Sequence, residues 1–542
     1  MVLTSLVGVA ALAVVIGPFV ASERIVYYWD FSGYWIKTIQ LGDLLGEPSA
    51  ALGALVESVR HQQYNLLAAV PLAPIARLFD YDRTAWVLTV LVVYGLPALA
   101  AMTFAALRLS GDRPEVRGAT ALAVATIVLL PALWAPLVRG SVGIGGVPLA
   151  VLVWLGVGAP LRTVPLRKAC LWGVLLASMI LFRRWYGFWV AAWVSAIAVE
   201  ALIEGGSWRE RAAGLRVVTT IALAVGGVLL LVATPIAVKM LTTDPAAIGA
   251  PYRAVDFYAD GLERVIGRFG ILPLLLAAGG AAAGWRDPRM RRLTRILLVQ
   301  TGVILLLFLR AQRFDRHHYY LIAPQVAVFA AVAMVELVRR ARAALAARVA
   351  LVASAAALAL GFAAAFSAPV GDALRDPWSL LATPRYRPLV RDDLPEIVRL
   401  ARALDALIGE SNQTIYVLSS YWLLNEDVLR NAHLSTDAPD ISDHVLLSAH
   451  IDRKEPFPTR LLQADYAVVV DPPRVHLKAE EQEVITVPAE QILAGDGIGR
   501  SFRRSPAGFT LQDGTKVALY ERTDAVPAHA KRALRQRLAR DR

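Results

Sequence analysis

The chain has 542 residues, 56% of them hydrophobic, and a mean hydropathy of +0.51. Soluble domains are less apolar, and their apolar residues recur with a helix or strand period rather than in long runs. The formal net charge is +12, but most of the excess lies in short loops between apolar runs, where it orients a chain in a membrane rather than indicating a nucleic-acid partner. The composition therefore excludes an ordinary soluble protein and predicts a multi-pass α-helical protein of the lipid bilayer.

Apolar runs long enough to approach a hydrocarbon core about 30 Å thick follow one another along the first two thirds of the chain. They are 2–21, 64–79, 84–107, 117–137, 145–160, 168–182, 184–203, 214–236, 268–284, 294–310, 319–338 and 346–367. No Lys or Arg precedes the first run, unlike a secretory signal, so we interpret it as an uncleaved spanning helix. The single cysteine, Cys170, lies inside a run and is interpreted as a small core residue; no intrachain disulfide can form.

The loop charges fit a membrane topology only if one run does not cross. Run 64–79 is short and carries Pro71 and Pro74, so it can lie at the interface as a helix. All strongly basic loops then fall on one side, which the positive-inside rule makes cytoplasmic. These loops are 108–117, 162–168, 209–216, 286–295 and 339–348. The pattern predicts about eleven spanning helices in the plasma or inner membrane, with the N-terminus inside and the C-terminus outside.

This topology divides the chain into a transmembrane domain and a C-terminal extracytoplasmic part. The predicted domains are 1–368 (transmembrane, with 22–79 as the first outer loop and its interfacial helices), 369–393 (linker), 394–525 (small α/β domain) and 526–542 (basic tail, helical or disordered). Within the α/β domain, 394–409 is predicted to be a helix, and 413–420 and 464–471 are strand-like. The alternation around Asp513-Gly514 in 509–522 is typical of a hairpin.

The first outer loop opens with YYWDFSGYW, which places Asp30 among aromatic residues directly after the first span. One interpretation is an interfacial aromatic belt with an incidental acid. The other is a general base, because desolvating a carboxylate beside a membrane is costly and needs a reason. Tyr34, Glu57 and His61 could assist Asp30. Glu57 and His61 also share a helix face at i, i+4, but two ligands alone are weak evidence for a divalent metal, so the sequence assigns no metal site and no certain cofactor.

The order of these features resembles that of the GT-C glycosyltransferases, which include the protein O-mannosyltransferases and the lipid A aminoarabinose transferases. Asp30 after the first helix is followed by RHQQYN (60–65), then by a proline-containing apolar segment ending near FDYDRTA (79–85), then by a long helix. The resemblance covers roughly residues 1–340 by topology and implies a sugar donor on a polyprenyl phosphate or diphosphate, with Asp30 in the catalytic role. Many relatives have two adjacent acids where this chain has Asp30-Phe31, and His-Pro-Pro where it has His61-Gln62-Gln63.

A lipid-phosphate leaving group needs positive charge rather than a general acid, so cations on the outer side are candidate donor ligands. One group is Arg183 and Arg184, adjacent in the apolar stretch MILFRRWYGFWV; the alternative for them is a solvated turn with snorkelling side chains. A second group lies in RAQRFDRHHYY, where Asp315 could instead pair with a neighbouring arginine. Its members are Arg313, Arg316, His317 and His318.

Two other classes of function remain open at this point, a polytopic transporter or flippase and a non-catalytic envelope scaffold. Against a transporter, the halves of the chain do not repeat each other and the spans lack mid-helix acids. The glycine-rich VRGSVGIGG (138–146) follows a helix and lacks the lysine of a phosphate-binding loop, so a nucleotide is not expected there. The sequence favours transfer to a lipid, glycan or protein acceptor, and identifies neither the sugar nor the acceptor.

Overall fold

The computed structural model describes residues 1–111, 119–244, 249–252, 256–373, 386–409 and 411–540. The chain forms two compact units. The first comprises Met1–Ala21, Asp30–Ala246 and Arg253–Arg387, and the second Ser22–Trp29, Ala247–Tyr252 and Pro388–Arg542. Half of the predicted linker 369–393, and Arg113 and Arg117 of the first basic loop, lie outside the described residues.

The first unit is helical, because a helix satisfies its own backbone hydrogen bonds and so suits long apolar runs. Its described helices are α1 (Val2–Ala21), α2 (Gly33–Asp43), α3 (Pro48–His61), α4 (Ala73–Arg77), α5 (Arg83–Val90), α6 (Leu96–Leu109), α7 (Thr120–Val128), α8 (Pro131–Val138), α9 (Val147–Gly156), α10 (Leu166–Phe182), α11 (Tyr186–Glu204), α12 (Trp208–Val232), α13 (Thr234–Thr242), α14 (Phe257–Phe269), α15 (Ile271–Arg286), α16 (Arg291–Ala311), α17 (Ala323–Ala341), α18 (Leu345–Phe366) and α19 (Ala368–Ala373). A π-helical turn, Leu91–Gly95, joins α5 to α6.

Six of the described helical segments are long and apolar enough to cross a membrane by length and composition. They are α1, the continuous α5–α6, α11, α12, α16 and α18. Two bent pairs, α7–α8 at 52° and α14–α15 at 95°, would bring the number to eight if each forms one span. The other three predicted spans coincide with α9, α10 and α17, which are shorter or carry more charge. The count of eleven and the orientation stay predictions.

The predicted interfacial run 64–79 is broken into two short helices, Leu66–Ala69 and α4. Leu66, Ala69 and Ala73 pack with Leu41 of α2 in a small apolar core of their own. The residues packed against it are Leu45, Ala51, Ala54 and Leu55. The helices of the predicted first outer loop therefore bury their apolar residues against one another.

Charged side chains at the ends of α11 and α16 pair within the first unit. Glu200 is 1% exposed, and Arg295 donates to it through Nε at 2.6 Å. Arg292 Nε lies 2.8 Å from Glu204 Oε1. Such burial is tolerated because each charge has a partner. The interpretation of Cys170 as a core residue was wrong: its side chain is exposed on α10, because an apolar run at a membrane can face outward as well as inward.

The second unit is a small α/β fold around a four-stranded sheet of order β1-β2-β4-β3. β1 and β2 run parallel, and β4 is antiparallel to both β2 and β3. Its elements are α20 (Leu394–Ile408), β1 (Ile415–Leu418), α21 (Glu426–Arg430), β2 (Tyr466–Asp471), α22 (Glu483–Ala494), β3 (Phe502–Thr510), β4 (Lys516–Arg522) and α23 (Ala528–Arg540). The predicted helix at 394–409, both predicted strands and the hairpin around Asp513-Gly514 are confirmed.

The basic tail forms α23, whose apolar face is part of the core of the second unit. Ala530, Leu534 and Leu538 are buried there with Val526, in the same cluster as residues of β2 and β4. Near the start of the unit, Arg391 and Asp393 form a buried two-point ion pair with nitrogen–oxygen distances of 2.7 and 3.0 Å. The tail therefore has a structural role that its basic composition did not reveal.

Candidate active site

Four chain segments of the first unit meet around Asp30: its own turn, the end of α10, the 3-10 helix after α16, and the stretch 60–65 with Tyr64. Asp30 itself lies in the 3-10 turn Trp29–Phe31 that precedes α2. Arg183 ends α10 in an extended conformation, φ −155° and ψ 119°. His317 lies in the 3-10 helix Arg316–Leu321, whose first turn is capped by Asp315. Asp30, Arg183 and His317 therefore all lie in 3-10 turns or at a helix end, where the backbone does not follow a regular α-helix.

The Asp30 carboxylate has one close imidazole neighbour and one hydroxyl donor. His317 Nδ1 lies 3.5 Å from Asp30 Oδ2, and the Tyr64 hydroxyl donates a hydrogen bond to the carboxylate. Burial raises the pKa of Asp30, but positive charge at His317 and Arg183, the Tyr64 hydrogen bond and Arg184 lower it, and the net direction is down. Because its pKa is lowered, this carboxylate is ionised at neutral pH. Its side chain is 39% exposed, so it is also accessible.

The His317 imidazole is a neutral partner at neutral pH. Burial lowers the pKa of His317 more than the Asp30 charge raises it, and Arg183 lowers it further. The imidazole can then act as a hydrogen-bond partner of Asp30 rather than as a full ion-pair partner. At neutral pH the lowered pKa of Asp30 therefore depends on the two arginines and Tyr64.

Aromatic rings face the guanidinium groups of Arg183 and Arg184, and neither arginine forms a close ion pair with a carboxylate of the described chain. The Arg183 guanidinium lies 5.5 Å from the centre of the Tyr34 ring, and Arg184 lies 5.1 Å from Tyr64 and 4.6 Å from Trp185. Arg183 is only 4% exposed. The Nε of each arginine is buried without a hydrogen-bond partner among the described residues. Cation–π contacts orient a guanidinium without using its N–H donors, so these donors remain available for a hydrogen bond to an anion.

The structure separates the four cations predicted in RAQRFDRHHYY. His317 joins Asp30, whereas His318 serves the local fold: its Nδ1 accepts from the backbone N–H of Asp315 at 3.0 Å, and its Nε2 lies 3.0 Å from Gln312 Nε2. Burial lowers the pKa of His318 well below its ordinary value. Arg313 is exposed and Arg316 half-buried, and within the described chain neither forms a hydrogen bond or ion pair with Asp30, Arg183 or Arg184. Asp315 caps the 3-10 helix, and no arginine side chain of the described residues forms an ion pair with it.

Glu57 and His61 contact each other on the exposed face of α3. His61 Nε2 lies 3.7 Å from Glu57 Oε1, with side chains 50% and 70% exposed. Neither reaches Asp30 in the described part of the chain. Among the described residues, no three His, Cys, Asp or Glu side chains group so as to hold a metal ion.

The glycine-rich segment 138–146 packs against Tyr186 and Tyr320, a role that the sequence alone did not predict. Residues Val142–Gly146 form a 3-10 helix, and the Tyr186 hydroxyl donates to the Gly143 carbonyl at 2.7 Å. A Cβ on Gly143 would lie 2.6 Å from the Tyr320 ring, and one on Gly146 would lie 2.3 Å from Tyr186. The density of glycines beside an apolar helix was the available signal, since it indicates close packing of the backbone.

We expect Gly146→Ala to lower the thermal stability of the protein in detergent. The new methyl group would overlap Tyr186, which is 2% exposed and cannot move aside; overpacking of this kind costs about 1–3 kcal/mol. The matched control is Gly227→Ala in α12, where a Cβ meets nothing within 4 Å. Equal melting temperatures for the two variants would contradict this account of the glycine segment.

The fold has relatives among solved structures, although no protein-family model and no curated protein matches the sequence. The crystal structure of ArnT from Cupriavidus metallidurans bound to undecaprenyl phosphate is similar with a TM-score of 0.51 and 15% identity, over 95% of this chain and 97% of that chain. The apo structure of the same protein gives 0.51 and 13% over the same shares. The chain has the fold of these ArnT structures.

A third GT-C structure is more distant. The archaeal oligosaccharyltransferase AglB from Archaeoglobus fulgidus, in complex with an inhibitory peptide and a dolichol-phosphate, has a TM-score of 0.47 and 11% identity over 86% of this chain and 69% of that chain. That likeness is too weak to support an argument about this protein. The GT-C resemblance predicted from the order of Asp30, RHQQYN and FDYDRTA is confirmed by the ArnT structures at the level of the fold.

Proposed function

We propose that this protein is a membrane glycosyltransferase that moves a sugar from a polyprenyl-phosphate-linked donor to a lipid, glycan or protein acceptor. One observation carries the proposal: two aromatic-held arginines with unused N–H donors lie beside an accessible, ionised carboxylate. The first feature suits the phosphate of a donor, and the second suits the hydroxyl of an acceptor. The GT-C fold is compatible with both.

The two guanidiniums are the proposed ligands of the donor phosphate. Arginine presents a planar fork of N–H donors that matches phosphate oxygens, and it stays charged when desolvated. Arg183 and Arg184 follow one another where α10 ends, before α11 begins. A phosphate there would satisfy donors that the described protein leaves unpaired. ArnT has been crystallised with undecaprenyl phosphate, which agrees with a polyprenyl carrier in a protein of this fold.

Asp30 is the proposed general base. As the acceptor oxygen bonds to the anomeric carbon, its proton passes to the Asp30 carboxylate. The bond between that carbon and the phosphate oxygen breaks, and the phosphate leaves with the electron pair, stabilised by Arg183 and Arg184. Because the leaving group is a phosphate, no second carboxylate is needed as an acid, unlike in glycosidases. The direct displacement inverts the anomeric configuration.

The proposed reaction takes place at the outer face of the plasma or inner membrane. The charge pattern of the loops, with eleven spans and an inside N-terminus, supports this placement. It places the first outer loop, the Arg183–Arg184 connection and the domain 394–525 outside, on the side of the cell envelope. The linker 369–393 then joins the domain 394–525 to the transmembrane domain 1–368. The helix 528–540 packs into the core of the domain 394–525.

Labelling of single cysteines in intact cells tests this orientation. In a Cys170→Ala background, Asp513→Cys in the exposed hairpin turn should react with a membrane-impermeant thiol reagent. Arg289→Cys, in a predicted cytoplasmic loop, should react only after the membrane is permeabilised. Protection of position 513 in intact cells would overturn the orientation.

A transfer assay tests the function itself. Purified protein is incubated with a panel of radiolabelled polyprenyl-phosphate sugars and an envelope extract as the source of acceptors. Release of polyprenyl phosphate together with labelled acceptor is the expected result. Movement of intact lipid-linked sugar across proteoliposomes without cleavage would instead identify a flippase, and no activity with any donor would contradict the proposal.

A further inference from the structure

We infer that Tyr64 is the positioning residue of this site, holding the Asp30 carboxylate and the Arg184 guanidinium in fixed relation to each other. The inference rests on the proposed function and adds to it a residue for which the sequence pattern gave no role. Tyr64 belongs to the stretch RHQQYN between α3 and the 3-10 helix Leu66–Ala69.

The two ends of the Tyr64 side chain have different partners. Its hydroxyl donates to the Asp30 carboxylate, and its ring faces the Arg184 guanidinium at 5.1 Å. The ring centre also lies 5.8 Å from that of Tyr34, whose ring faces Arg183 at 5.5 Å. Each tyrosine ring thus faces one of the two arginines, and the Tyr64 hydroxyl also donates to the base.

The next residue ties Tyr64 to the helix that delivers the arginines. Asn65 is 5% exposed, and its Nδ2 donates to the carbonyl of Leu181 at 2.7 Å, near the end of α10. The Asn65 Oδ1 accepts from the backbone N–H of Leu67 at 2.9 Å and so starts the following 3-10 helix. The position of Tyr64 is therefore set against the same helix end that positions Arg183 and Arg184.

This arrangement links proton removal to donor binding. A carboxylate that is 39% exposed has rotational freedom unless a donor fixes one oxygen, and a directed hydrogen bond supplies that restraint. A phosphate bound by Arg184 and a hydroxyl attacking beside Asp30 would then be aligned through one shared side chain. Removal of the Tyr64 hydroxyl and removal of its ring should therefore have separate effects on catalysis and on donor binding.

Tyr64→Phe tests the hydroxyl and keeps the ring. Loss of a hydrogen bond to a charged group should lower kcat about 10- to 100-fold, with the KM for donor unchanged. Since that hydrogen bond lowers the pKa of Asp30, its loss should move the acid limb of the pH profile of kcat/KM to higher pH. Tyr64→Ala removes the ring as well, and should in addition raise the KM for donor.

The matched control is Tyr94→Phe, which removes a hydroxyl that donates to the Ala68 carbonyl at 2.7 Å. It should leave kcat and the pH profile as in the wild type. A Tyr64→Phe variant with wild-type kcat and pH profile, measured beside an inactive Asp30→Asn, would overturn the positioning role and leave the function standing. An equal loss in Tyr64→Phe and Tyr94→Phe, without a shift in pH profile, would also overturn it. An active Asp30→Asn would instead refute the general base.

Discussion

Asp30→Asn is expected to reduce sugar transfer by about 10²- to 10⁴-fold, the contribution that a positioned general base typically makes. The amide has the same shape and can still accept the Tyr64 hydrogen bond, so the local structure should persist. It cannot take a proton from the acceptor hydroxyl. Donor binding, followed with labelled polyprenyl-phosphate sugar, should therefore change little while kcat falls.

Glu57→Gln is the matched control for this variant. Glu57 lies in the same predicted outer loop, but its side chain is 70% exposed, and within the described chain its ion-pair partner is His61. Its loss should leave transfer at the wild-type rate. Wild-type transfer by purified Asp30→Asn would show that the carboxylate does not act as a base.

The same assignment predicts the pH dependence on the acid side. Burial raises the pKa of Asp30, yet the positive charges and the hydrogen bond around it bring the net pKa below its ordinary value. The base therefore stays ionised as the pH falls from neutrality, and protonation of Asp30 should reduce kcat/KM only at a pH below the ordinary titration range of a carboxyl group. A fall that appears between pH 6 and 7 would have to come from another group.

Arg183→Gln and Arg184→Gln are each expected to lower kcat/KM by about 10²- to 10³-fold, the loss seen when one donor to a developing anion is removed. Arg183 should have the larger effect, because it is only 4% exposed and Arg184 is half-buried. Inhibition by added polyprenyl phosphate should weaken in parallel, since the same donors bind that product. Lysine at either position keeps the charge but not the planar fork, and should restore activity only in part.

Arg313→Gln tests whether Arg313 binds the donor phosphate. The sequence alone made Arg313 a candidate ligand, whereas the structure does not support that role. Arg313 is exposed and forms no hydrogen bond or ion pair with the described site residues, so its loss should leave kcat/KM near the wild-type value. If Arg313→Gln were as damaging as Arg183→Gln, the phosphate would have to lie nearer the 311–318 loop. Unchanged inhibition by polyprenyl phosphate in both Arg183→Gln and Arg184→Gln would contradict their role as phosphate ligands.

The sequence by itself determined the features that depend on local composition, which are the membrane helices and the charged residues beside them. Long apolar runs predict membrane helices, because the hydrocarbon core selects them by length and hydropathy alone. A carboxylate and two arginines beside such runs stand out for the same reason: desolvation makes unpaired charges costly there. Asp30, Arg183 and Arg184 could therefore be named without a structure, and the fold class with them.

The tertiary structure alone decided which of these groups meet. His317 and His318 are neighbours in the chain, yet one lies against Asp30 and the other binds Gln312 and the backbone of Asp315. Sequence cannot distinguish them, because the directions of adjacent side chains depend on a 3-10 turn and on what packs around it. Tyr64 and the glycines behind Tyr186 were missed for a related reason. Their roles come from contacts between segments far apart in sequence, which local composition does not record.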